Sequence, residues 1–386
     1  MMSERRKSLG IYVHIPFCLK KCDYCDFLSV PIKEETEWVT WYFQALKEEI
    51  QEYQEQAGSY VVSSIFLGGG TPTFPSEKWI IQIIEEIQNV FLVEKKAEIT
   101  IECNPETVNR KKLQAYRETG INRISFGLQS ADNRELKRLG RVHTYQRFLE
   151  SFTAAREVGF SNCNVDLMFG LPEQTLDGWE NTVRTAAALA PEHLSAYSLI
   201  VEEGTPFFEQ RKQGLLSLPE EEEERQMYQK TEQWLEESGY QRYEISNYAK
   251  TGWECRHNLI YWSGEDYLGL GLGASSYLNG VRFQNTTDFK SYQKKEKRLE
   301  ERERGAERLT ITNQMEEFLF LGLRKMAGVS KTEFQKRFGY SMDSIYGEVI
   351  RKWKKKGLLE EGEDRVWLTR GGIDVSNVIL ADFLLE

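Results

Sequence analysis

The chain has 386 residues, which at roughly 150 residues per domain predicts two or three domains, each large enough to bury a core. Hydrophobic residues at 40% and charged residues at 28% exclude a mostly disordered chain, and the sequence contains no uninterrupted apolar run long enough to span a membrane. Fifty Lys and Arg against sixty Asp and Glu give a formal charge of -10, so the global field predicts no nucleic-acid partner. Six cysteines are too few for a secreted disulfide scaffold of this size, and three of them crowd into one short stretch, which points to metal. The basic start, Met1 to Lys7, is not followed by an uninterrupted signal-peptide core, and a cytoplasmic location is expected.

In chain order, short apolar runs predict strands over Ile11–Ile15, Val61–Leu67, Glu98–Glu102, Arg123–Gly127, Asn162–Met168 and His193–Leu199. Helical patterns lie between them, over Glu34–Gln54, Ser76–Phe91 and Tyr145–Val158, with Ser76 and Asp177 as expected helix starts. Repeated strand–helix units predict an α/β fold with a parallel sheet, and six units over about 200 residues favour a partial (β/α)6 barrel; periodicity alone leaves an open doubly wound sheet as the alternative. The barrel is expected to span residues 1–215, followed by an α+β extension over 216–290. That extension opens on a long acidic helix, Pro219–Gly239, and its aromatic- and Gly-rich part, 240–285, reads as strand and loop. The charge run within 291–308 reads as a solvated helix or linker. Residues 309–386 predict a small winged-helix-like unit of three helices and a β-wing, with Val366–Thr369 in the wing.

Directly after the first predicted strand stands Cys18-x-x-x-Cys22-x-x-Cys25. Structural zinc is one reading, but it takes four N or S ligands, and no second Cys or His pair follows at a suitable spacing. Three thiolates around a four-iron cluster would instead leave one iron without a protein ligand, open to chemistry. His14 reads as structural, and Cys103 and Cys163 as small hydrophobes.

The run Tyr12-Val13-His14-Ile15-Pro16-Phe17-Cys18, followed by Cys22, Tyr24 and Cys25, resembles the radical S-adenosylmethionine (SAM) superfamily, and within it the branch of the oxygen-independent coproporphyrinogen oxidases. The resemblance covers nearly the whole chain. It implies a [4Fe-4S] cluster on Cys18, Cys22 and Cys25, whose unique iron is chelated by SAM, with the cofactor carrying the radical chemistry. Three further motifs fall where such a barrel needs them. Leu67-Gly68-Gly69-Gly70-Thr71-Pro72-Thr73 would cradle the amino-acid end of SAM, although a triple glycine alone would equally turn the chain. Glu102 resembles the family carboxylate that meets SAM, and Gln129, Arg141 and Asp166 end later strands or follow them. Taken singly, each of these four is as well explained as a buried structural hydrogen-bonder. Together they gather on the face where barrels build sites. Tyr12, Tyr24, Gly69, Gly70 and Thr71 complete the expected cofactor contacts.

Two departures set the chain apart from the oxidases. A further cysteine follows their cluster motif by two positions, where Phe27 stands here; they also carry a long amino-terminal arm, whereas 17 residues precede Cys18. His257-Asn258-Leu259-Ile260-Tyr261-Trp262 resembles the HNLxYW motif of the haem chaperones of the same branch. That resemblance implies one haem (heme b) per monomer, contacted by His257, Asn258, Tyr261 and Trp262, and transfer to an acceptor protein, for example of a respiratory chain. The residues themselves also fit a turn capped by His257 and Asn258 with Tyr261 and Trp262 in the core, and Cys255 is an alternative ligand. A homodimer is compatible with the sequence. Three function classes follow: a haem chaperone; a radical SAM enzyme acting on a tetrapyrrole, such as a coproporphyrinogen III oxidase; and a partner-docking role for the carboxyl-terminal unit.

Overall fold

The computed structural model describes residues 6–32 and 36–385. The basic start Met1–Arg5, and residues 33–35 where the first helix is expected to begin, lie outside the described residues.

Six parallel strands build the scaffold in sequential order: β1 (Lys7–Ile15), β2 (Tyr60–Gly69), β3 (Val93–Cys103), β4 (Arg123–Gln129), β5 (Cys163–Phe169) and β6 (His193–Ser198). Helices α1 (Glu37–Glu52), α2 (Glu77–Val90), α3 (Arg110–Glu118), α4 (Tyr145–Glu157) and α5 (Leu176–Ala188) make the crossovers. Both faces of the strands are buried, as crossover helices on one side and a filled lumen on the other require. Sequential order without a reversal is the arrangement of a partial (β/α)6 barrel and not of a doubly wound sheet. The register aligns Glu102 with Ser125, Gly127 with Asp166, and Asp166 with Ser195, so the carboxyl ends of β3 to β6 present their side chains to one place.

The sheet continues past both edges. Asn247–Ala249 runs antiparallel to β6, and β7 (Tyr267–Leu270) pairs parallel with β1 and leads into the antiparallel β8 (Ser275–Leu278) and β9 (Val281–Gln284). The acidic helix forms as α6 (Glu221–Glu237), docked on α5 by the Trp179 indole donating to Thr231 at 2.8 Å. The start of α5 differs from expectation: Thr175 caps the Gly178 N–H, and Asp177 lies in the first turn.

Two further segments correct the sequence reading. Residues 256–262, read as strand and loop, form a helix, α7 (Arg256–Trp262). The charge run folds as α8 (Lys295–Arg304), a helix as expected, with Lys295, Glu296, Lys297, Glu300, Glu303 and Arg304 exposed; its inner face is not solvated, since Arg298 is buried and pairs with Glu52 at 2.8 Å, and Arg302 reaches the buried Glu49 at 2.9 Å. The carboxyl-terminal unit is winged-helix-like, with α9 (Ile311–Gly322), α10 (Lys331–Phe338) and α11 (Met342–Lys355) closed by the hairpin Leu359–Glu361 and Arg365–Leu368. Phe318, Phe334, Tyr346, Ile350 and Trp353 build its own core.

Candidate cluster and SAM site

At the carboxyl ends of the strands lies a cavity of about 440 Å³. It is walled by Cys18, Cys22 and Cys25, by Tyr24, Gly69, Gly70 and Thr71, and by Glu102, Gln129, Arg141 and Asp166. Eleven of the twelve residues expected to hold cluster and SAM therefore meet in one place. Tyr12 is the exception. Its hydroxyl bonds His14 Nδ1 at 3.0 Å beneath the cavity, and its link to the site runs through that histidine.

Local hydrogen bonds set the cysteine loop. His14 Nε2 engages the Leu28 carbonyl at 2.8 Å, Ile32 N–H donates to the Cys18 carbonyl at 2.8 Å, and Asp23 N–H to the Leu139 carbonyl at 3.1 Å. The loop is thus tied to β1 at its base and to the 130s segment at its tip. The glycine loop lies against it. A Cβ on Gly70 would stand 2.9 Å from the carbonyl oxygens of Ile15 and Phe17, and Gly69 adopts φ +109 with the His14 ring packed on it. Only glycine allows the loop to come this close at these two positions.

Donors point at two of the sulfurs: Thr71 Oγ1 at Cys18 Sγ, 3.5 Å, and Arg141 Nη1 at Cys22 Sγ, 3.6 Å. Burial pushes the Cys18 thiol up, with the Thr71 bond opposing, and burial also pushes Cys25 up. Uncoordinated, the Cys18 and Cys25 thiols are therefore held protonated, and ligation to metal would release their protons. The three cysteines are unpaired, and no group of three His, Cys, Asp or Glu side chains among the described residues is placed to hold a single ion. They line a space larger than one ion.

Deeper in, burial and then the charge of Asp166 push the Glu102 carboxyl up to about 8, while the Gly69 N–H donates to it at 3.1 Å. Burial likewise raises Asp166, against hydrogen bonds from Asn164, Ser195 and Ser125. A bulge between Gly127 and Gln129 leaves Gln129 at φ 72, and its side-chain oxygen accepts from Tyr197 at 2.7 Å. Glu102 and Asp166 form an acidic pair suited to a ligand ammonium group. Tyr197, Met168 and Ser125 also line the cavity, and sequence reasoning does not single them out. Its place near the carboxyl end of β6, the strand end at which the neighbouring site residues also stand, is the signal that finds Tyr197. Cys103, expected to pack as an apolar side chain, is buried and also forms part of the wall.

The chain matches the radical SAM superfamily pattern over residues 12–186 and that of the HemN carboxyl-terminal domain over 309–375. It is 40% identical over 376 residues to the haem chaperone HemW of Bacillus subtilis, covering 97% of this chain and 99% of that one. The HemW of Escherichia coli is 34% identical over 98% of both chains. The chain belongs to the radical SAM superfamily, in its HemW family. Among solved structures, the coproporphyrinogen III oxidase HemN of Escherichia coli, a radical SAM enzyme, superposes with a TM-score of 0.84 at 24% identity, covering 98% of this chain and 90% of that one, which shows the shared fold. Radical SAM membership implies a [4Fe-4S] cluster and SAM, and the residues present fit both: three sulfurs with N–H and O–H donors aimed at two of them, a glycine cradle, and an acidic pair.

The HemW motif lies elsewhere. It forms α7 at the amino-terminal end of the strands, and none of His257, Asn258, Tyr261 or Trp262 lines the cavity. His257 is 1% exposed, stacked on Phe66, with Nδ1 2.8 Å from Ser64 Oγ and Nε2 2.8 Å from the Tyr261 hydroxyl. Both ring nitrogens are engaged by protein hydroxyls. Burial, then Arg123, lower its pKa to about 3, so the ring is neutral. Cys255 bonds Glu98 at 3.4 Å and is fully buried. Asn258 is half-buried beside His257, and Trp262 faces the carboxyl-terminal unit, where the Arg324 guanidinium lies 5.7 Å from its ring.

Proposed function

We propose that this chain is a haem chaperone: it holds one haem (haem b) per monomer beside a [4Fe-4S] cluster on Cys18, Cys22 and Cys25, keeps SAM in the inner cavity, and delivers the haem to an acceptor protein. The reading rests on identity to HemW haem chaperones of 34 to 40% over nearly the full length of both chains. In the inner cavity Gly69 and Gly70 would cradle the amino-acid end of SAM, with Glu102 and Asp166 facing its charges. Arg141 and Thr71 would donate to the cluster thiolates. Once bound, cluster and SAM supply one-electron chemistry; the chain orients them and keeps water from them.

Features of the cavity mouth support a haem position there. Phe27 and Ile200 are 68% and 66% exposed and both line the cavity, with Lys20 and Lys21 on the same rim. Two exposed apolar side chains beside two lysines match a flat apolar macrocycle with two carboxylates. Phe27 occupies the position where the oxidases carry a further cysteine. His257 and its helix then serve as the barrel floor. The HNLxYW resemblance is accounted for by that seat and by the Trp262 contact with the carboxyl-terminal unit.

Anaerobic titration of the cluster-reconstituted protein with haem, followed by mixing with a generic apo-haemoprotein, tests the proposal. Saturable binding of one haem per chain and its transfer are expected. Catalytic conversion of coproporphyrinogen in the presence of SAM and reductant, without saturable haem binding, would replace it with the enzyme reading.

A further inference from the structure

The lumen between the cavity and α7 is filled by one directional chain of hydrogen bonds. Asp166 accepts at Oδ1 from Asn164 Nδ2, 2.7 Å, and at Oδ2 from Ser125 Oγ, 3.1 Å, while the second Asn164 N–H goes to Ser125 Oγ at 2.7 Å. The Asn164 oxygen therefore faces the other way, toward His193 Nδ1 at 2.6 Å and Ser195 Oγ at 3.2 Å. That oxygen can only accept, so His193 carries its proton on Nδ1, and Nε2 accepts from the Tyr243 hydroxyl at 2.9 Å. The same hydroxyl oxygen accepts the Cys255 backbone N–H at 3.3 Å, at the start of α7. With the amide so oriented, the His193 and Tyr243 protons each have one placement. His193 and Asn164 are cross-strand neighbours in the β5–β6 register and are buried, so neither can exchange its partner for water.

We propose that His193 is a positioning residue for Asp166, with Tyr243 setting its tautomer. The pair keeps the Asn164 amide from rotating and so presents the Asp166 carboxylate to the ligand in the cavity. A rotated amide would set its oxygen against the carboxylate and lose three bonds at once. His193 lines no part of the cavity and acts only through Asn164. The chain also connects the backbone of the helix that carries His257 to the cavity wall, without any contact between His257 and the ligand. The inference rests on the reading that Asp166 faces bound SAM.

The test is SAM affinity of cluster-reconstituted protein by calorimetry, with iron content and circular dichroism measured on each sample. Asp166→Asn and His193→Leu are each expected to weaken SAM about tenfold with iron unchanged, and the double variant to be no weaker than Asp166→Asn alone. His193→Asn keeps an N–H where Nδ1 stood and should restore most of the affinity. Tyr243→Phe, which leaves the ring in place, should weaken SAM about threefold and keeps the test open if the leucine variant does not fold. Undiminished affinity in Asp166→Asn would overturn the assignment of Asp166, and the proposal with it. Loss in Asp166→Asn with wild-type affinity in His193→Leu or Tyr243→Phe, or fully additive losses in the double variant, would overturn the positioning role alone.

Discussion

Arg141 places Nη1 3.6 Å from the sulfur of Cys22 while Nη2 donates to the Gly127 carbonyl at 2.6 Å. One guanidinium thus ties the cysteine loop to the end of β4. Burial works against its charge, while the neighbouring Tyr24 and Cys22 raise its pKa above the ordinary arginine value. Arg141→Ala is expected to fold and to lose a reconstituted cluster about tenfold faster than the wild type under mild chelation, read by iron release. Wild-type retention would show that the sulfur needs no donor from this side.

Glu102 gives a pH signature. Its folded-state pKa, about 8, lies above the ordinary 4.5, so the folded cofactor-free protein holds this proton more tightly than the unfolded chain. Stability from this group is therefore fully present below pH 4.5 and lost as pH rises through 8. Glu102→Gln should be more stable than the wild type above pH 8, on the order of 1–3 kcal/mol, with the difference closing as pH falls below 5, in denaturant titrations of the cofactor-free protein. A difference independent of pH would place the ionised carboxylate in a solvated site.

His257→Ala should act on the fold. It leaves the Ser64 and Tyr261 hydroxyls without their partner and empties a ring-sized space beside Phe66. The expected cost is roughly 2–4 kcal/mol, read as a lower denaturation midpoint, with haem stoichiometry preserved at temperatures where the variant is folded.

Arg298→Ala should be costly for a surface-looking charge. The change strips Glu52, itself 6% exposed in its side chain, of its 2.8 Å partner and frees the Tyr292 carbonyl. Removing one member of a buried pair costs about 3–5 kcal/mol, measurable by urea denaturation. A cost below about 1 kcal/mol would mean that Arg298 behaves as a solvated surface charge.

These last two cases mark the limit of what the linear sequence shows. The six strands are legible because parallel strands buried on both faces read as short apolar runs, and the cluster motif is legible because its three cysteines share one loop. The helix α7 is not legible. It has seven residues, and Cys255 gives it no side-chain cap; its first N–H groups are held by the Glu98 carboxylate at 3.2 Å, from a strand more than 150 residues away. Arg298 likewise reads as solvated because its partner Glu52 lies 246 residues earlier in the chain. Local pattern shows a residue's character, whereas these two sites depend on long-range partners. Glu102, Gln129, Arg141 and Asp166 escape that limit because strand order brings successive carboxyl ends to one face.

The most direct test of the account compares anaerobic haem titrations of the cluster-reconstituted wild type, a Phe27→Ala/Ile200→Ala double variant and His257→Ala. The account predicts one saturable haem per chain in the wild type and in His257→Ala, and affinity at least about tenfold weaker in the rim variant with its iron content intact. Unchanged haem binding in the rim variant, together with its loss in a folded His257→Ala, would contradict the account and return the haem to α7.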